Sequence, residues 1–154
     1  MKSTHPFKVK APIESIYNNV LSAEGWPSFA LGYQSLESAD HNWPDEGSSI
    51  VFRVGFGPWS APFNATVVEH ERGHRFLTHE EAFSGLWIDD AGLTLEEEDG
   101  TTKITIIRDI KSKSPLIGIL ILLVFPLRGL TARYAKRRIK AMVETESPSG
   151  CGLC

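Results

Sequence analysis

With 154 residues, 42% hydrophobic and 23% charged, the chain has the size and composition of one folded domain rather than a disordered segment. A formal net charge of −3 and the lack of an arginine–aromatic stripe argue against nucleic acid as a partner. The start, MKSTHPFKVKAP, has no apolar core of the kind a secretory signal needs, and with both cysteines in the last four residues a reducing cytoplasm is expected.

Both cysteines, Cys151 and Cys154, lie in the last four residues, so no disulfide can brace the body of the fold. Their Cys-x-x-Cys spacing lacks the further ligands of a zinc site, and Gly152 does not suit a prenylation box. Charge is unevenly spread. Glu69–Asp99 holds ten acids against two bases, and Lys103–Lys140 holds ten bases against one acid. The two segments either face each other and water, or the basic end meets anionic lipid or an acidic partner.

In chain order, Phe7–Lys10 reads as a short strand ended by Ala11-Pro12. Ile13, Ile16, Tyr17, Val20 and Leu21 then mark one helix face, closed at Gly25, and Trp26-Pro27 opens a second short helix through Leu31. Strands follow at 34–39, 49–56, 63–70, 75–82, 86–95 and 103–110. The separators are turn-formers, among them Gly57-Pro58, Ser84-Gly85 and Asp99-Gly100, so an antiparallel meander is expected. Residues 115–144 predict one long helix, kinked at Pro126. It is apolar all round before the kink and amphipathic after it, with Arg133, Lys136, Arg137 and Lys140 on one face. The run Pro115–Leu127 is thirteen residues long, short of the roughly 18–20 of a spanning helix. Residues 147–154 read as a flexible tail behind a single domain over 1–146.

The predicted class is therefore α+β: a curved antiparallel sheet of about seven strands wrapped around a long kinked C-terminal helix, with two short helices after the first strand. A curved sheet and a bent helix do not pack flush, and the gap between them is a natural ligand cavity.

Several stretches resemble one superfamily. They are FKVKAPIESIY from Phe7, Trp26-Pro27, the Gly47 that opens a strand, VVEHERGHRF from Val67, GTTKIT from Gly100, and the closing helix. Together they are similar to a START-like helix-grip domain of the SRPBCC superfamily, which includes polyketide cyclase/dehydrase and lipid-transport proteins. The resemblance covers about residues 5–144 and rests on order and spacing. It implies a seven-stranded sheet gripping the last helix around an apolar pocket. It also implies a ligand drawn from lipids, sterols, hormones or polyketides, with cyclisation or dehydration in some members. Fold does not choose among these, and no catalytic residue is carried over.

Candidate binding residues come from the strands and helices themselves. Trp26, Phe29, Phe52, Val54, Phe56, Phe63, Phe83 and Trp87 supply apolar surface to a core or a cavity, and Leu120 and Val124 add to it from the last helix. Trp59, between Pro58 and Ala61-Pro62, reads as a residue at the mouth. Asp89 shares strand parity with Trp87, Ala91, Leu93 and Leu95, and Arg108 with Ile104, Ile106 and Ile110, so both charges point inward. A four-residue turn sets Asp89 opposite Arg108, and a two-residue Asp99-Gly100 turn sets Ala91 there with Asp89 on the diagonal. Either way the two form an ion pair in the pocket, or sit solvated at open strand ends.

His70, His74 and His79 flank a hairpin and do not converge as metal ligands, so no metal or other cofactor is expected; His79 is a candidate acid/base. No nucleophile elbow and no phosphate loop occur. Three functions remain: carriage of an apolar or amphipathic small molecule, a cyclase- or dehydratase-type enzyme using Asp89, Arg108 and His79, and a peripheral module touching an anionic membrane through 116–127 and the basic helix. The oligomeric state is left open.

Overall fold

The computed structural model describes residues 2–124 and 128–144, the side chains of Val124 and Arg128 excepted. The order is β1 (Lys2–Val9), α1 (Ile13–Asn19), a 3₁₀ turn (Trp26–Phe29), β2 (Tyr33–Ala39), β3 (Ser49–Phe56), β4 (Trp59–Glu71), β5 (Arg75–Ala82), β6 (Trp87–Glu98), β7 (Thr101–Ser112), α2 (Pro115–Val124) and α3 (Arg128–Glu144). The strands form one antiparallel sheet in the order β1-β7-β6-β5-β4-β3-β2. Five consecutive hairpins make the meander. β1 closes it by pairing with β7, and α1 and the 3₁₀ turn carry the chain from that edge to β2 at the other.

Turn chemistry decides the register. Asp99 and Gly100 both have positive φ (51° and 78°), the conformation a two-residue hairpin loop needs. Ala91 therefore lies opposite Arg108, and Asp89 opposite Ile110. Gly57-Pro58 is an equally tight link, so pairing starts at once and Trp59 opens β4 opposite Phe56 instead of sitting in a loop. Strand pairing also runs on past the predicted limits of β1, β4, β6 and β7.

The first helix is shorter than its apolar pattern. It stops at Asn19, and the backbone of Gly25 folds back so closely that a Cβ there would lie 1.8 Å from the Asn19 carbonyl oxygen. The inner face of the sheet buries Phe52, Phe76, Leu93, Leu95 and Ile104 against Ile16, Val20 and Leu21 before α3, and against Ile139 and Val143 within it. α3 meets β1, α1 and the 3₁₀ turn, whereas α2 meets β7. The predicted long helix is thus described as two helices. The kink expected at Pro126 and the tail with Cys151 and Cys154 fall outside the described residues.

Candidate functional site

Between the inner face of the sheet and α3 lies a partly open hollow of about 110 Å³. Phe52, Leu93, Ile106 and Ile110 line it from the strands, Trp26 and Phe29 from the 3₁₀ turn, and Ala132, Ala135 and Ile139 from α3. Small residues on α3 leave the space that larger ones would fill. Drug-sized ligands occupy pockets of roughly 300–1,000 Å³, while an apolar cavity of about 150 Å³ accepts benzene. The hollow therefore has the scale of one ring.

Two charged residues interrupt the apolar lining, Glu80 and Arg108. Glu80 shares parity with Phe76, Thr78 and Ala82, the buried side of β5. Directly opposite it on β6 is Asp89, which is fully buried. Arg108 reaches Asp89 from the diagonal. Its Nε donates to Asp89 Oδ2 at 2.9 Å, and its Nη2 donates to the same oxygen. Asp89 Oδ1 is buried and has no partner among the described residues. Two carboxyl groups thus share one guanidinium in a poorly solvated place.

Glu80 carries the consequence. Trp26 Nε1 donates to its Oε1 at 3.2 Å, and the Trp26 ring sits edge-on to Phe76 with centroids 4.9 Å apart. Thr78 Oγ1 donates either to Glu80 Oε1 at 3.2 Å or to the Ala91 carbonyl at 3.1 Å. Its single proton serves one of them at a time. Protonation of Glu80 would let it donate to Thr78 while Thr78 donates to Ala91, filling both contacts. Burial, followed by the charge of Asp89, pushes the Glu80 carboxyl from its ordinary 4.5 up to about 7, against the pull of Arg108 and the hydrogen bonds from Trp26 and Thr78. A proton is therefore held on the wall of the hollow near neutral pH.

The residues expected to bind fall into three groups. Trp26, Phe29, Phe52 and Arg108 line the hollow, and Asp89 stands behind Arg108. Val54, Phe63 and Trp87 do not line it. Val54 and Phe63 pack against the core, and the Phe63 ring continues from Phe52 (5.9 Å, stacked) to Trp87 (6.5 Å, edge-on). Phe56, Trp59 and Leu120 point away into water, at 71%, 82% and 48% exposure. Phe56 and Trp59 pair across a hairpin tip, and α2 does not cross the hollow. The Val124 side chain lies outside the described residues.

The histidine expectation changes as well. His79 has the outward parity of β5, where its Nδ1 is 2.7 Å from Asp90 Oδ1 and its Nε2 is 3.0 Å from Glu81 Oε1. It does not line the hollow. Among the described residues no group of three or more acidic, histidine or cysteine side chains could hold a metal ion.

Solved structures share the fold over nearly the whole chain. The di-domain ARO/CYC StfQ from the steffimycin biosynthetic pathway superposes with a TM-score of 0.73 at 12% identity, covering 94% of this chain and 50% of that one. A conserved protein from Geobacillus kaustophilus gives 0.72 at 12% identity, with 94% and 96% covered. Ara h 8.0201 gives 0.64 at 12% identity, with 92% and 98% covered. The fold is a helix grip, a seven-stranded antiparallel sheet curved around the last helix. No family model matches the sequence, and no curated protein matches it. Within the helix grip, the place where sheet and last helix diverge is the hollow that holds Glu80 and Arg108.

Proposed function

We propose that the protein binds a small amphipathic molecule in the hollow and carries it without covalent change. The observation behind this reading is a largely apolar chamber whose wall offers the carboxyl of Glu80 and the guanidinium of Arg108, with Ser3, His5 and Thr131 as further polar groups. The apolar body of the ligand lies against Phe52, Leu93 and Ile106. Its polar group meets Glu80, which can donate or accept a proton, and the guanidinium edge of Arg108 that Asp89 leaves free. At about 110 Å³ the chamber takes a single ring or a short chain, and a longer lipid or polyketide needs the sheet and α3 to part.

Native mass spectrometry of freshly purified chain tests for a retained guest, and calorimetric titration with benzoate tests for a ring bearing a polar group. A bound small molecule or benzoate binding is expected. Ala135→Phe, which fills the chamber from α3, should weaken benzoate at least tenfold. Absence of both a guest and benzoate binding in the unaltered protein overturns the reading, as does equal affinity in the variant.

Glu80 also favours a second reading, an enzyme of cyclase or dehydratase type. A carboxyl titrating near 7 beside a guanidinium suits proton transfer to and from an enolic or phenolic oxygen. Glu80→Gln would then abolish turnover while leaving ligand affinity within a few-fold.

A further inference from the structure

One end of the sheet is apolar and open to water. The β3–β4 hairpin, the β5–β6 hairpin and the exit from β7 into α2 all lie at the same end of the strands, because Ser112 pairs with Trp87, Trp87 with Ala82 and Ala82 with Phe63. Exposed side chains gather there: Phe56 and Trp59 on the first hairpin, Phe83 and Leu86 on the second, and five aliphatic residues of α2, from Leu116 at 78% to Leu120 at 48%. Within residues 55–62, 82–88 and 112–124 the one charged side chain is Lys113. Contiguous exposed apolar surface of this kind marks an interaction site.

Charge selects the occupant. From Ile110 through Val143 the sequence holds eight bases and no acid. Lys113 stands just before α2, next to a Lys111 that is already paired with Asp90 and Asp109, and Arg133, Lys136, Arg137 and Arg138 are exposed on α3. α3 begins four residues after α2 ends, so those two helix ends lie within about 15 Å of each other. The opposite end of the sheet carries the acids, with Asp45 and Glu46 before β3, Glu71 at the β4–β5 turn and Glu96–Asp99 at the β6–β7 turn. A second copy docked through this apolar end would bring two copies of Lys113 to one interface with no acid in the patch to offset them. A surface of anionic lipid headgroups attracts the basic flanks and repels the acidic end, which orients the molecule. Among the described residues no helix is long and apolar enough to cross a membrane, and α2, at ten residues, spans about 15 Å, half a hydrocarbon core. Its length suits lying in the interface, where a tryptophan such as Trp59 is also at home.

We propose that the protein docks end-on to anionic bilayers, inserting α2 and the tips of the β3–β4 and β5–β6 hairpins while the bases beside and after α2 engage the headgroups. Thr131 and Ala132, at the start of α3, line the hollow, so docking brings its α3 end toward the lipid. The docking itself does not depend on what the hollow binds.

The test is co-sedimentation of the full chain with extruded vesicles of phosphatidylcholine alone or with 30% phosphatidylserine, at low and high salt. Binding to the anionic vesicles is expected to be at least tenfold tighter than to phosphatidylcholine and to weaken at high salt. Trp59→Ser combined with Leu120→Ser and Leu123→Ser should reduce it at least tenfold with an unchanged thermal midpoint, since all three side chains face water. Lys136→Glu with Arg137→Glu should remove the preference for phosphatidylserine while the three apolar residues remain. Protein that stays in the supernatant with anionic vesicles overturns the proposal. So does a dimer in sedimentation equilibrium that the triple variant dissolves, because a second copy would then be the occupant.

Discussion

A carboxyl that keeps its proton to about pH 7 in the fold makes folding itself pH-dependent. Glu80 binds a proton more tightly folded than unfolded, where its value is the ordinary 4.5. Its stabilising share is complete below about pH 4.5 and is lost as pH rises through 7, on the order of 3 kcal/mol by linkage. His79, raised chiefly by its hydrogen bonds to Asp90 and Glu81, acts in the same direction, its share being lost above its folded value. Urea unfolding of the unaltered protein should therefore show stability falling between pH 5 and pH 8. Glu80→Gln keeps an acceptor for Trp26 and cannot ionise, so most of that fall should vanish and the variant should be the more stable protein at pH 8. A parallel fall in both proteins would count against the assignment. Asp89→Ala removes the hydrogen-bonded partner of Arg108 and leaves Glu80 to balance its charge, and should destabilise the fold by about 1–3 kcal/mol in the same measurement. Strand parity brought Asp89 and Arg108 to the inner face from sequence alone. Glu80 escaped because a glutamate between His79 and Glu81 looks solvated. The signal was available in Phe76, Thr78 and Ala82, which share its parity and are buried.

At the scale of elements, hairpins were the most legible part. Asp99-Gly100 demands positive φ, and that local demand selected the diagonal placement of Asp89 and Arg108. Gly92, on β6 beside the hollow, shows the opposite kind of control. A Cβ there would lie 2.4 Å from the Phe76 carbonyl oxygen and 2.2 Å from Leu77 Cδ2 on the neighbouring strand. Gly92→Ala should therefore destabilise by about 1–3 kcal/mol, read as a lower urea midpoint with unchanged slope, because β5 and β6 must part to admit the methyl group. Nothing in the sequence around Gly92 announces that closeness, which arises where the two strands of the β5–β6 hairpin approach. The apolar composition of α2 was equally plain in the sequence, but its surroundings were not. Helical periodicity cannot say whether an apolar run is covered by the sheet or left in water, and here Leu116, Leu122 and Leu123 remain exposed.

The whole molecule is bipolar, with an acidic end of hairpin turns, an apolar end carrying α2, and the hollow between the sheet and α3. The uneven charge along the chain anticipated this. Its two halves meet in part within the sheet, where Glu96 pairs with Lys103 and Lys111 Nζ lies 3.3 Å from Asp90 Oδ2. If Trp59 enters lipid as inferred, its emission should move to shorter wavelength on adding phosphatidylserine vesicles, and a Trp59→Phe protein should lose that change. A ligand seated in the hollow should raise the thermal midpoint of the unaltered protein but not of Ala135→Phe, since only the former has room for it.

The amino-acid sequence by itself determined the order of elements, the antiparallel meander, the inward parity of Asp89 and Arg108, and the apolar and basic character of the C-terminal helices. These follow from periodicity and turn chemistry, which act over a few residues. Only the tertiary structure decided that Glu80 joins the buried pair, that Phe56 and Trp59 form a hairpin tip in water, and that α2 leaves the hollow uncovered. Those outcomes depend on which residue of the neighbouring strand lies opposite, how closely two backbones approach, and what remains to cover a helix once the sheet has closed around α3.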